Sequence, residues 1–264
     1  MTNAIDLNGK LAFLLVTGAS KGIGAKMAIE TSRKFAAGSV IVLLARTIDG
    51  LEATKAEILR ENAGLKVLVN SMDLSKPPIK DLNEMITESY DRNINFELVV
   101  TIHNIGTVGD TSKWAHDIDD YVELESYFST NVFGPMILNN LMMKVVPSTT
   151  KTFIVNVTSK AAISPFKSFG FYCSGKAARE MFFRVIAEEN KDVLVLNYSP
   201  GPVETDMTVD VQQNAVSDEI SNMYKHLRAT GTILTTEQTT KRFLDIVAKG
   251  NYKSGDHVDY YDEF

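Results

Sequence analysis

The chain has 264 residues, 44% hydrophobic and 23% charged, with a formal net charge of −6. That balance suits a globular fold with a sizeable core, and it offers nucleic acid no basic run to bind. Its longest apolar runs are too short to span a bilayer, and the opening MTNAIDLNGK lacks the apolar centre of a secretory signal. A single cysteine, Cys173, excludes an internal disulfide and suits a reducing compartment, so a cytoplasmic location is expected.

In chain order, a strand is predicted at Leu11–Thr17, a helix at Gly24–Phe35, a strand at Val40–Leu44 and a helix at Leu51–Asn62. A strand at Lys66–Asn70, a helix at Ile79–Arg92 and a strand at Leu98–Ile102 follow. One long helix is then predicted over Tyr121–Val146, a strand at Phe153–Val157, a helix at Gly175–Asn190, and strands at Val193–Asn197 and His257–Asp259. These strand runs are apolar without alternation, the pattern of strands buried on both faces. Strand–helix alternation builds βαβ units, so the predicted class is α/β. A doubly wound, Rossmann-type parallel sheet of about seven strands is expected, flanked by helices on both faces. No repeat or linker divides residues 1–264, which read as one domain. The mixed polar segment 205–236 breaks the rhythm and reads as an insertion over the site.

The first strand runs into Thr17-Gly18-Ala19-Ser20-Lys21-Gly22-Ile23-Gly24 and then a helix. Glycines let such a turn bring its backbone against a pyrophosphate, and the helix N-terminus adds free N–H groups and a positive dipole end. A glycine-rich turn alone could be a structural loop; its place between a buried strand and a helix points to a dinucleotide. At the end of the second strand an NAD site normally offers a carboxylate, whereas this chain has Ala45-Arg46. A guanidinium pairs with a 2′-phosphate, and Lys21 adds a second cation, so NADP(H) is the expected cofactor; the alternative is that both are solvated surface charges. Asp73 and Leu74, after the third strand, are placed to touch the adenine. Asn104 and Gly106 follow the fourth strand, at the crevice where such ligands sit.

Tyr172 and Lys176 are four apart on one helix face. An ammonium there would pull a tyrosine from a pKa near 10 toward the working range. Ser159 follows the fifth strand and Asn131 lies within the preceding long helix. The histidines show no metal-ligand spacing, so no metal is expected.

Together, the glycine turn, Asn104-Ile105-Gly106, Asn131, Ser159, Tyr172-x-x-x-Lys176 and Pro200-Gly201 occur in the order and spacing of the short-chain dehydrogenase/reductase family, which the whole chain resembles. One departure is His103-Asn104-Ile105-Gly106, where the family usually has Asn-Asn-Ala-Gly. The resemblance implies that Tyr172 protonates the carbonyl oxygen, Ser159 hydrogen-bonds it, and Lys176 holds the nicotinamide ribose and lowers the tyrosine pKa. Asn131 would position a relay water. It further implies cofactor contacts from Gly18, Ser20, Gly22, Ile23, Gly24, Pro200, Gly201, Val203, Thr205 and Met207, and pairing into a homodimer.

Within that family, the stretches Pro165-Phe166-Lys167, Tyr172 to Arg179, Asn197 to Pro202, Thr205 to Met207 and Lys253 to Asp262 resemble the pterin-reducing members. This resemblance implies reduction of the side-chain ketones of 6-pyruvoyl-tetrahydropterin to tetrahydrobiopterin, with sepiapterin to dihydrobiopterin as a convenient reaction. Asp259 would anchor the guanidine-like edge of the pterin, as a carboxylate accepting two N–H groups can. Ser159, Tyr172, Cys173, Gly201 and Met207 are the other expected substrate contacts, with Phe166 and Phe169 as further pocket walls. A general NADPH carbonyl or dicarbonyl reductase keeps every catalytic residue and drops only Asp259. A non-catalytic NADP(H)-binding regulator has no need of the acid–base set.

Overall fold

A computed structural model describes residues 3–76 and 79–263. Seven parallel strands form one sheet in the order β3-β2-β1-β4-β5-β6-β7. They are β1 (Ala12–Thr17), β2 (Val40–Ala45), β3 (Lys66–Ser71), β4 (Leu98–His103), β5 (Lys151–Val157), β6 (Val193–Ser199) and β7 (His257–Asp259). Every residue of β1, β2 and β4 is buried. Successive residues of β1 feed opposite sides: Leu14 and Val16 enter one core cluster, Phe13 and Leu15 the other. The first cluster is closed by α1 (Gly22–Ser32), α2 (Ile48–Glu61) and α9 (Thr236–Lys249), through Met27, Leu51 and Phe243. The second is closed by α3 (Ile79–Ser89) and α5 (Gly134–Val145), through Ile86 and Leu138. Helices thus cover both faces, as a parallel sheet requires.

The long helix expected over Tyr121–Val146 is broken. It divides into α4 (Tyr121–Phe128), a π-helical turn at Ser129–Phe133, and α5. The cause lies in two residues. Pro135 has no N–H to give the carbonyl four residues back, that of Asn131. The Asn131 side chain also turns inward and donates to the Tyr127 carbonyl at 2.9 Å, the kind of competing bond that opens a π-bulge. Helix α9 belongs to no predicted element. Its start is set by a Thr235/Gln238 capping box and its end by Gly250 in the left-handed region. Segment 205–236 holds two helices, α7 (Asp206–Asn214) and α8 (Asp218–Ala229), closed at the base by a Val203–Leu234 bridge. Helix α6 (Gly170–Glu189) starts before the expected Gly175.

His103, at the end of β4, is fully buried against the Phe183 ring at 4.9 Å. Its Nε2 meets Asn139 Oδ1 at 3.3 Å and its Nδ1 has no partner. Burial, helped by the Arg179 charge, lowers its pKa from 6.5 to about 3. The folded state therefore keeps His103 neutral while the unfolded chain takes up a proton below pH 6.5. Unfolding then binds a proton, and this contribution to stability is lost as pH falls from 6.5 toward 3. In urea melts, the stability gap between native protein and His103→Asn should narrow by up to about 1.4 kcal/mol per pH unit in that window. A gap independent of pH would show that the imidazole is protonated in the fold.

Candidate active site

Because all strands are parallel, their C-terminal ends and following loops lie on one edge of the sheet. The chain reverses its direction of winding between β1 and β4, which are neighbours, and that switch point opens a crevice. The glycine turn sits in it. Gly18 and Gly22 have φ of 65° and 61°, positions that glycine occupies without strain. Asn104 donates through Nδ2 to the carbonyls of Thr17 and Gly18 at 3.2 Å each, tying the turn to the end of β4. A Cβ on Gly18 would come within 2.8 Å of that Nδ2, and one on Gly24 would collide with both Nδ2 and the Gly18 carbonyl. Across the turn, a Cβ on Gly22 would meet only the Thr205 methyl at 3.7 Å. The α1 N-terminus has no side-chain cap and no acidic residue in its first turn. Its free N–H groups, facing an open cradle, fit a pyrophosphate.

Arg46 is exposed at the end of β2, its carbonyl accepting from Ser71 Oγ at 2.7 Å. Asp73 accepts from the Ser75 N–H at 2.9 Å. That bond, with help from the Arg46 charge, holds its carboxyl below the usual range. The Leu74 side chain is fully buried in the core, so only its backbone is left to face an adenine. Lys21 is ion-paired with Asp206 at the start of α7, both side chains being mostly exposed. Ser20 is half-buried in the turn. Ile105 packs on the second core cluster. Gly106 lies against Asn131, whose Oδ1 would stand 2.9 Å from a Cβ there.

Three residues of the acid–base set, Ser159, Tyr172 and Lys176, lie at the top of β5 and on α6, and the fourth, Asn131, is on the π-helical turn, its carbonyl 3.5 Å from Arg179 Nη1. Ser159 caps the short helical turn after β5, accepting from Ala161 N–H at 3.2 Å, and its hydroxyl lies on the same cavity as the Tyr172 phenol. Burial pushes the Tyr172 pKa up, with Tyr224 acting in the same direction; the Ser159 hydroxyl and the Arg179 charge oppose it. Lys176 lies 5.5 Å from the Tyr172 ring centroid and donates to the Val157 carbonyl at 2.7 Å. Burial, then Arg179, push its pKa well down. The Asn131 side chain is occupied: Oδ1 accepts from Thr107 N–H at 2.8 Å and Nδ2 donates to Tyr127.

Beside Tyr172 is a cavity of about 440 Å3, mostly apolar, which Ser159, Gly201, Met207 and Asp259 also line. Phe166 and Phe169 form its aromatic wall, and α7 and α8 close it with Val211, Met223 and Tyr224. Ile23, Pro200, Val203 and Thr205 carry the lining toward the glycine turn. Cys173, half-buried, packs with Phe166, Tyr172 and Met207 against the cluster of Val108, Phe169, Val211 and Ile220, with its Sγ 3.9 Å from the Ser164 carbonyl. The Asp259 carboxylate is held by the Ser199 hydroxyl at 2.6 Å and the Tyr261 N–H at 3.1 Å. Sequence reasoning left Thr158, Tyr224, Tyr261 and Asp262 unassigned, and their side chains carry no motif of their own.

The glycine geometry generates a test. Gly24→Ala should lower Tm and weaken NADPH binding more than about tenfold, because backbone and Asn104 must move together. Gly22→Ala, with space for its methyl but a positive φ, should cost about 1–2 kcal/mol. Calorimetry and nucleotide titration read both, and equal binding in native and Gly24→Ala would remove the turn from the cofactor site.

Comparison with known proteins agrees with this geometry. A family model described as short chain dehydrogenase matches residues 12–216. Sepiapterin reductase of Xenopus tropicalis is 35% identical over 251 residues, covering 94% of this chain and 95% of the relative. That of Rattus norvegicus is 32% identical, covering 95% and 97%. Benzil reductase ((S)-benzoin forming) of Bacillus subtilis (strain 168) is 26% identical over 89% of this chain and 93% of its own. In fold, a short chain dehydrogenase/reductase from Saccharomyces cerevisiae superposes with a TM-score of 0.78 at 22% identity, covering 95% and 96%. A short chain dehydrogenase from Escherichia coli CFT073, complexed with NADPH, does so at 0.73 and 20% identity, covering 97% and 99%. The chain belongs to the short-chain dehydrogenase/reductase family of oxidoreductases, in the branch that includes these sepiapterin reductases.

Proposed function

We propose that this protein reduces the side-chain ketones of pterins with NADPH, converting 6-pyruvoyl-tetrahydropterin to tetrahydrobiopterin and sepiapterin to dihydrobiopterin. The observation that carries the reading is Asp259. An oriented carboxylate lines the same apolar cavity as Tyr172 and Ser159, and it can accept two N–H groups from the pterin ring while the side-chain ketone reaches the phenol. The uncapped α1 N-terminus and glycine cradle suit the pyrophosphate, and Arg46 suits the 2′-phosphate. When bound, NADPH supplies the hydride.

Ser159 donates a hydrogen bond to the substrate oxygen and fixes its position against the phenol. Tyr172 gives that oxygen its proton. Lys176, freed from Val157, holds the nicotinamide ribose. With the Asn131 side chain committed to Thr107 and Tyr127, its carbonyl is the group left to hold a relay water. Helices α7 and α8 exclude bulk water over Met207 and Tyr224. A homodimer would bury Phe133, Met181 and Val185, exposed on α6 and next to α5. We place the enzyme in the cytoplasm, where Cys173 would stay reduced. Residues 1–264 would form one NADP-binding domain, with 205–236 as its substrate cover.

NADPH oxidation with sepiapterin tests this. Asp259→Ala should lower kcat/KM about a hundredfold, the worth of two charge-assisted hydrogen bonds at about 1.5 kcal/mol each, while simple diketones keep turning over. Tyr172→Phe should lower kcat about a thousandfold with every ketone. A general dicarbonyl reductase is the second reading, favoured by the apolar cavity and the benzil reductase relative; it predicts diketone turnover that Asp259→Ala leaves alone and no sepiapterin turnover. Separately, Arg46→Ala should raise KM for NADPH about tenfold and leave that for NADH unchanged. Equal changes with both nucleotides would remove Arg46 from the 2′-phosphate site.

A further inference from the structure

Arg179 is 1% exposed. Its Nε donates to Asn156 Oδ1 at 2.6 Å, Nη1 to the Ile105 carbonyl at 2.6 Å and toward the Asn131 carbonyl at 3.5 Å, and Nη2 to the His103 carbonyl. All four partners are neutral. Among the described residues no carboxylate forms a salt bridge with it. A buried, uncompensated cation costs several kcal/mol relative to a paired one, so its presence calls for a reason. A structural clamp explains the fork: the carbonyl released at Asn131 by Pro135, and those at the end of β4, need donors. It does not explain the charge.

The surroundings do. Arg179 is seven residues from Tyr172 and three from Lys176, on one face of α6. The titratable groups facing it are Tyr172 and Lys176 on its own helix, Tyr127 on α4 and His103 on β4. Glu180 follows it, but its carboxylate accepts from Thr158 Oγ1 at 2.7 Å and pairs with His257 Nδ1 at 2.9 Å. Each segment that the guanidinium grips also carries part of the site: Asn104 and Gly106 flank Ile105, Asn131 shapes the π-helical turn, and Asn156 precedes Ser159 on β5.

We propose that Arg179 is a positioning residue of the reduction: its fork holds the ends of β4, β5 and the π-helical turn in one frame, and its uncompensated charge is the fixed field in which Tyr172 gives up its proton. This rests on the reading of Tyr172 as the acid. The arrangement has a cost that a packed apolar side chain would avoid, and the return is a phenolate stabilised by a charge that cannot be lost at working pH.

The test separates charge from fork, using NADPH and a simple diketone so that Asp259 does not enter. Arg179→Gln removes the cation, and Asn156→Asp neutralises it in place while giving up the bond that Asn156 donates to Asn197. Both should lower kcat at about pH 7 by about tenfold or more, with both KM values within about threefold. In both, the basic limb of the kcat profile, where Tyr172 ionises, should lie at higher pH than in native protein, because the charge that favours the phenolate is gone. Arg179→Lys keeps the charge but not the fork, so its deficit should be the same at every pH. If Arg179→Gln does not fold, Asn156→Asp decides. Deficits of equal size at every pH in all folded variants, or kcat within about twofold of native in Arg179→Gln or Asn156→Asp, would overturn the proposal and leave a structural clamp. Failure of the underlying reading looks different: native protein and Tyr172→Phe would then turn over the diketone equally.

Discussion

Seven strands that all run the same way impose one constraint from which the rest of the molecule follows. Their C-terminal ends share an edge, and the candidate site residues of the loops lie there: the glycine turn after β1, Arg46 after β2, Asp73 after β3, Asn104 after β4, Ser159 after β5 and Gly201 after β6. Strands buried on both faces cannot carry such groups along their length without leaving polar atoms unpaired. The loops can, and the sheet holds them in fixed relation. The all-buried β1, β2 and β4 therefore act by rigidity, and most of their side chains fill the core, while the Thr17 hydroxyl at the end of β1 accepts from the Asn104 and Ile105 N–H groups.

That edge is underlain by a buried polar layer. Arg179 binds Asn156, Asn156 donates to Asn197 Oδ1 at 2.9 Å, and Asn197 donates to the Gly255 carbonyl at 3.0 Å. Three side chains thus run across β5 and β6 from the acid–base helix to the turn that begins β7. Each link is fully buried, where an unmade bond would leave its partner orphaned at about 1–3 kcal/mol. The layer consequently specifies one arrangement of the strand ends. Apolar packing alone tolerates sliding, and a shift of one residue in β7 would turn Asp259 away from the cavity.

How much of this was legible depended on whether the signal was local. The seven strands appear where their apolar runs predict them, within about two residues, because burial on both faces leaves a continuous run. The glycine turn was legible because left-handed φ at Gly18 and Gly22 demands that residue. The break at Asn131 was not foreseen, since apolar residues at helical spacing continue through it; Pro135 was the visible cue and Asn131 the hidden one. Helix α9 was missed although Thr235, Gln238 and Gly250 mark both its ends. Arg179, at the end of a recognisable stretch, was readable as a letter but not as a buried charge, because burial is a property of the assembled fold.

The position of Asp259 shows how distant segments combine to make a specific site. A strand of three residues cannot hold itself in place. β7 is paired to β6 with Ser199 opposite Asp259, and the Ser199 hydroxyl then sets one carboxylate oxygen while the Tyr261 N–H sets the other. Two residues back, on the same side of the strand, His257 meets Glu180 of α6, eight residues beyond Tyr172. The helix that presents the phenol and the strand that presents the carboxylate are thus joined through a pair that is largely buried. Their separation is a property of the scaffold rather than of flexible side chains, so under the proposed function the length of the molecule that spans them would be selected before any contact with its middle is made.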